Sequence, residues 1–151
     1  YSKSKLGDIY FYGYGVVVDY YTAKKYYEEA SNGGDVFSKR QLGWLYSVGK
    51  GVSKDYNKAR QYYEQASNAG NIYSKGQLGW LYLFGHGVTK DYTKARQYFE
   101  EASNGGDIFS KSQLGDIYYF GDGVAKDYKK ENNIMKKLQM VEIFGQKLNW
   151  G

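Results

Sequence analysis

The sequence predicts an all-α protein, a solenoid of four two-helix repeats followed by a C-terminal capping helix. Three recurrences predict it. Leu-Gly occurs at Leu6-Gly7, Leu42-Gly43, Leu78-Gly79 and Leu114-Gly115, always 36 residues apart. Gly-x-Gly-Val follows at one fixed offset, from Gly13 to Val16, Gly49 to Val52, Gly85 to Val88 and Gly121 to Val124. Asp-Tyr comes next, at Asp19-Tyr20, Asp55-Tyr56, Asp91-Tyr92 and Asp127-Tyr128. Landmarks in strict phase at a period of this length mark stacked supersecondary units. The units read as 1–36, 37–72, 73–108 and a divergent 109–130, with a cap over 131–151, all in one solenoid domain.

Within a unit, apolar residues at i, i+3, i+4 and i+7 predict helix A over Phe37 to Val48, with Leu42, Leu45, Tyr46 and Gly49 on one face. Helix B is predicted over Asp55 to Asn68, with Tyr56, Ala59, Tyr63 and Ala66 as its stripe. Ser53 and Asp55 both suit the exposed N–H groups at its start. Ala69-Gly70 ends it, since glycine accepts a left-handed C-cap, and Asn71, like Asp35 and Asp107, can cap the next helix A. Gly43 lies inside helix A, where glycine costs about 1 kcal/mol against alanine. Its recurrence at Gly7, Gly79 and Gly115 predicts helices approaching closer than a side chain allows. Gly49-x-Gly51 supplies the tight AB turn, under which Val52 tucks back.

A lone helical hairpin cannot bury both faces, so stacking supplies the core and the ends must differ from the middle. The fourth unit does differ. Glu131 and Leu138 stand where unit two has Ala59 and Ala66, and Met135 stands where it has Tyr63. Glu131 to Trp150 therefore reads as a cap whose outer face carries Lys136, Lys137 and Lys147 after Lys130. The first unit shows no comparable cap, and the sequence opens on Tyr1, not Met. Its start reads as a cut through a longer array.

Absence of cysteine excludes a disulfide framework and a thiolate metal site but leaves the compartment open. No apolar run approaches the roughly 20 residues that span a bilayer. Gly49-Lys50-Gly51-Val52-Ser53-Lys54 follows a helix and lacks the phosphate-loop spacing, so it is a turn. His86, the sole histidine, sits at the position of Tyr14, Lys50 and Asp122, a variable tip expected to face solvent. It has no second ligand for a metal and no partner for base chemistry. Glu28-Glu29 and Glu100-Glu101 follow Lys24, Lys25 and Arg96 by four residues, which predicts an ion-paired face. Much of the formal charge of +5 falls between Lys126 and Lys147, a basic cap and not a stripe along a groove. Neither nucleic acid, an enzymatic reaction nor a cofactor is expected.

Leu-Gly-Trp-Leu-Tyr, then Gly-x-Gly-Val, then Lys-Asp-Tyr-x-Lys-Ala-Arg-Gln-Tyr resembles the Sel1-like branch of the tetratricopeptide-repeat superfamily. The resemblance runs from residue 1 to about 130 and implies a right-handed α-solenoid of Sel1-like repeats with a scaffold or adaptor role. Some cysteine-rich bacterial relatives are linked to penicillin binding through disulfide-clamped repeats. Lacking every such cysteine, this chain does not inherit that activity.

In two-helix solenoids the A helices line the concave wall, so the variable residues opposite the core stripe are the candidate site for a protein or peptide. They are positions 40, 44, 47 and 48 and their counterparts. Asp8, Phe11 and Tyr12 come from unit one, Arg40, Trp44 and Val48 from unit two, Trp80, Leu83 and Phe84 from unit three, and Asp116, Tyr119 and Phe120 from unit four. Aromatic residues with a few charges suit the centre of an interface. Asp8 and Asp116 are expected to be exposed and to select basic groups. For Trp44 and Trp80 two readings stand, binding surface or packing between neighbouring A helices. The alternative to a binding scaffold is a structural spacer, or a segment that self-associates end to end through its uncapped first unit.

Overall fold

The computed structural model describes residues 2–121 and 133–139. Their regular structure is all helical. Seven helices run α1 (Lys3–Tyr12), α2 (Tyr20–Asn32), α3 (Val36–Val48), α4 (Tyr56–Asn68), α5 (Ile72–Phe84), α6 (Tyr92–Asn104) and α7 (Ile108–Phe120). An eighth, α8, covers 133–139. The odd-numbered helices of the first seven are the A helices and the even-numbered ones the B helices. Each packs chiefly on its neighbours in sequence, the pattern of a solenoid. The expected cap over 131–151 lies outside the described residues except for 133–139.

Capping chemistry sets the boundaries. Asp19, Asp55 and Asp91 open the B helices, each carboxylate accepting from the backbone N–H three residues on. Of the two candidates ahead of α4, Asp55 is therefore the cap and Ser53 is not. Asp35, Asn71 and Asp107 open α3, α5 and α7 in the same way. There the cap side chain also accepts from the hydroxyl of a fully buried serine, Ser38, Ser74 or Ser110. A side chain that satisfies two donors makes a buried helix start affordable. The left-handed residue after α4 is Gly70, at φ +93°, one place beyond the Ala69 C-cap.

Each AB hairpin is fixed by a backbone bond from the helix B cap to helix A. Asp19 N–H donates to Tyr10 O at 2.9 Å, Asp55 to Tyr46 O at 2.9 Å and Asp91 to Tyr82 O at 3.0 Å. Stacked tyrosine pairs follow on the same hairpins, Tyr10–Tyr26, Tyr46–Tyr62 and Tyr82–Tyr98, each with centroids 5.8 Å apart. Ile134 occupies the next position in that series and packs on the core of the third and fourth units.

Between units the core is built from Leu42, Leu45, Leu78 and Leu81, all fully buried, and from Ala23, Ala59 and Ala95. Each leucine buried this way contributes about 1.5–3 kcal/mol. Val52 packs against the cluster around Tyr46 and Tyr63, as its place under the turn predicts. The expected ion pairing is present in part. Lys24 pairs with Glu28 at 3.6 Å, whereas Glu29 and Glu101 pair with helix A lysines, Lys3 and Lys75, both at 3.0 Å.

Candidate functional site

Helical spacing places Arg40, Trp44 and Ser47 on one face of α3, at i, i+4 and i+7. Tyr73, Gln77 and Trp80 stand at the same spacing on α5. Between these faces lies a groove of about 320 Å³, lined by Trp44, Ser47, Val48, Tyr73, Gln77, Trp80 and Phe109. Val48 and Phe109 remain 42% exposed, so the groove opens to solvent with apolar lips.

The two tryptophans take both of the roles left open. Trp44 packs edge-on against Phe11, with centroids at 5.3 Å, and leans on Tyr20 of the preceding unit. Trp80 contacts Tyr56 and Phe84 in the same fashion. Both remain partly exposed and line the groove. Stacking between repeats holds them still, and a pre-ordered aromatic side chain loses less entropy when a ligand arrives.

The remaining candidates divide. Tyr12, Phe84, Tyr119 and Phe120 are exposed, as is Asp116. Leu83 is a correction. It is 9% exposed and belongs to the core cluster with Phe99 and Ile117, not to an open wall. Asp8 is a second correction, because it is not a free acidic selector. The buried Tyr27 hydroxyl donates to its carboxylate at 2.6 Å. Burial first, and then this bond, pushes the Tyr27 phenol well above its ordinary range. Gly76, the counterpart of Arg40, is buried where a Cβ would meet Asp107 and Ser110. Position 40 thus faces the next repeat. Arg40 itself lays its guanidinium over Tyr73, 4.2 Å from the ring centroid.

His86 is not a solvent-facing tip. Its ring stacks on Tyr56 at 4.4 Å and sits 4.8 Å from Trp80. Lys50, one repeat earlier, holds its ammonium 5.0 Å over Tyr20 and 5.9 Å from Trp44. A tip that varies freely in sequence is in fact seated between repeats.

Tyr73, Gln77 and Phe109 were missed in the sequence reading. Position 37 of the repeat carries Phe37, Tyr73 and Phe109, aromatic each time, and that regularity was the available signal. It was masked because the residue doubles as the start of helix A. Each ring meets the B-helix aromatic of the preceding unit edge-on, Tyr27 to Phe37, Tyr63 to Tyr73 and Phe99 to Phe109.

Among the described residues, no group of three or more His, Asp or Glu side chains is arranged to hold a metal ion. No helix among them is long and apolar enough to cross a membrane.

Stacked, capped helical hairpins joined through a continuous core define an α-solenoid repeat protein. The chain belongs to the Sel1-repeat family, whose model matches residues 1–35, 37–71, 74–107 and 110–130. Proteins of this family are generally protein-interaction scaffolds. A protective antigen of uropathogenic Escherichia coli with an SLR fold is similar at 34% identity and a TM-score of 0.84, over 91% of this chain and 30% of that one. A Sel1 repeat protein from Oxalobacter formigenes is similar at 27% identity and 0.82, over 90% of this chain and 56% of that one. Cysteine-rich protein B of Helicobacter pylori is similar at 32% identity and 0.57, over 61% of this chain and 69% of that one. The chain thus spans about a third to a half of the length of the first two. Comparison with curated proteins gives no significant match.

Proposed function

We propose that this protein is an interaction scaffold that holds a protein or peptide segment on the wall formed by its A helices. The observation that supports this most is the groove between Trp44 and Trp80, open to solvent yet walled by side chains already packed in place. Binding energy concentrates where aromatic anchors flank a pocket and exposed apolar lips can be desolvated. Tyr12, Phe84, Tyr119 and Phe120 extend the same wall toward the other units.

The test uses the two lips, since truncating either tryptophan would also loosen the stack. Val48→Ala with Phe109→Ala should leave the unfolding midpoint nearly unchanged, because both side chains are more than 40% exposed in place. Retention of partners from a lysate of the native organism should fall by about tenfold or more. Unchanged retention of the same proteins would remove the A-helix wall as the binding surface.

A second reading rests on Gly15. A Cβ on Gly51 or Gly87 would run into the backbone that opens helix B of the preceding unit, at 2.6 and 2.7 Å. Gly15 has no described atom within 4 Å, and Tyr14 and Val17 beside it are 64% and 88% exposed. This turn could receive the end of a second copy. Sedimentation across a concentration series would show a dimer that Val17→Lys abolishes, and a concentration-independent monomer would discard the reading.

A further inference from the structure

The junction of the second and third units carries polar groups that its neighbours lack. Tyr27, Tyr63 and Phe99 occupy one repeat position, and each lies beneath the A-helix wall. In the first unit the Tyr27 hydroxyl is satisfied twice, donating to Asp8 and accepting from Gln41 Nε2 at 3.4 Å. In the third unit Phe99 has no hydroxyl. In the second, the Asp8 position is Trp44 and the Gln41 position is Gln77, on the groove wall.

The Tyr63 hydroxyl, on a side chain 1% exposed, consequently has no hydrogen-bond partner. Its polar neighbours are Ser47 and Tyr73, which line the groove, and Arg40. A buried hydroxyl left without a partner costs about 1–3 kcal/mol. Arg40 is the second anomaly. Its counterparts are Ser4, Gly76 and Ser112, and among the described residues no carboxylate pairs with it. Its Nε is buried without a partner. One floor of one groove thus gathers a guanidinium and three hydroxyls, and the acidic side chain that serves the equivalent tyrosine in unit one is missing.

We propose that an acidic peptide segment supplies it. An Asp or Glu side chain of the partner enters the groove between α3 and α5 and takes the place that Asp8 holds in the first unit. Its carboxylate accepts from Arg40 and from the Tyr73 and Ser47 hydroxyls, and Tyr63 donates into that cluster from beneath. Apolar side chains flanking the acid lie between Trp44 and Trp80, against Val48 and Phe109. Charge complementarity favours this occupant over a basic one, and the chain's net charge of +5 steers it inward. The inference rests on the A-helix wall being the binding surface and adds what that surface selects.

The test compares two labelled peptides, one alternating leucine and glutamate and the other with every glutamate replaced by glutamine. Binding is read from the indole N–H resonances of Trp44 and Trp80. The acidic peptide should bind about tenfold or more tighter than its amide counterpart, and its advantage should shrink with added salt. Arg40→Gln should erase that advantage and leave the amide peptide's affinity unchanged. Tyr63→Phe with Tyr73→Phe should reduce it, and both changes have precedents at the same repeat positions, in Phe99 and in Phe37 and Phe109. Equal binding of the two peptides would overturn the carboxylate inference while leaving the groove as a binding surface. No shift of either indole with any peptide, basic ones included, would overturn both.

Discussion

The ring of Tyr63 lies against the backbone of Gly43, so that a Cβ built on that glycine would stand 2.7 Å from its Cδ1 and Cε1. The same contact joins Gly7 to Tyr27 and Gly79 to Phe99, with approaches of 2.6 and 2.8 Å. Helix B can therefore press a whole aromatic ring onto helix A, and the helix-propensity cost of a mid-helix glycine is offset by that burial. Gly43→Ala should destabilise the protein by about 1–3 kcal/mol through overpacking, despite alanine's better propensity. At Gly115 the nearest described side-chain atoms are Ile134 Cγ2 at 3.7 Å and Met135 Sδ at 3.8 Å. Gly115→Ala should then be neutral or stabilising by up to about 1 kcal/mol. Chemical denaturation of the two variants checks the pair, and equal destabilisation would refute the packing argument.

Gly51 and Gly15 separate the cost of backbone conformation from the cost of stacking. Both have φ near +70°, at +72° and +74°. Alanine in that region costs about 1–2 kcal/mol at either site. Only at Gly51 would the Cβ also meet the Tyr20 carbonyl carbon, at 2.6 Å. Gly51→Ala should accordingly lower stability well beyond Gly15→Ala, with faster amide exchange at the junction of α2 and α3. Matching losses at the two sites would mean that the turn does not hold the register of the stack.

Much of this was legible in the sequence because each landmark has one physical job. Asp55 could be read as a cap, Gly43 as a close approach and Leu42 as core, since helical period and propensity decide such positions locally. The groove was harder. Trp44 and Leu83 lie on adjacent positions of the same predicted face, yet one lines a groove and the other is buried, because the next repeat covers them differently. Asp8 looked like a free charge until Tyr27, nineteen residues away, was placed under it. Arg40 looked like a wall residue until Tyr73 of the following unit came beneath its guanidinium. Contacts between units depend on the rotation from one hairpin to the next, and no period in one hairpin's sequence encodes that.

Stability should fall in alkaline solution, and the tyrosines set the sign. Burial pushes the Tyr63 phenol well up, and burial with the Asp8 bond does the same for Tyr27. An unfolded tyrosine ionises at about 10, while these two stay protonated in the native state. Their contribution is complete below pH about 10 and is lost as pH rises from there toward the folded values, by at most about 1.4 kcal/mol per pH unit for each. Lysine deprotonation overlaps this window, so Tyr63→Phe provides the control. Denaturation midpoints between about pH 9 and 11.5 should fall less steeply in the variant than in the parent. Parallel profiles would mean that Tyr63 ionises alike in the folded and unfolded states.

Lys50 and His86 fill one slot by different chemistry. An ammonium over Tyr20 and an imidazole stacked on Tyr56 both bridge a B helix to the A helix of the following unit. An exposed cation over a ring is worth about 0.5–1 kcal/mol. A stacked aromatic pair is worth about 0.5–1.5 kcal/mol beyond its area. Lys50→Ala and His86→Ala should each cost amounts in those ranges, and His86→Lys should retain most of the stability that His86→Ala loses. Because the slot joins repeats and does not fold a hairpin, the loss should be local. Hydrogen exchange should quicken across the α4–α5 junction for His86→Ala and across the α2–α3 junction for Lys50→Ala. A uniform rise in exchange over the whole array would instead make the solenoid one cooperative block, in which no single junction can open by itself.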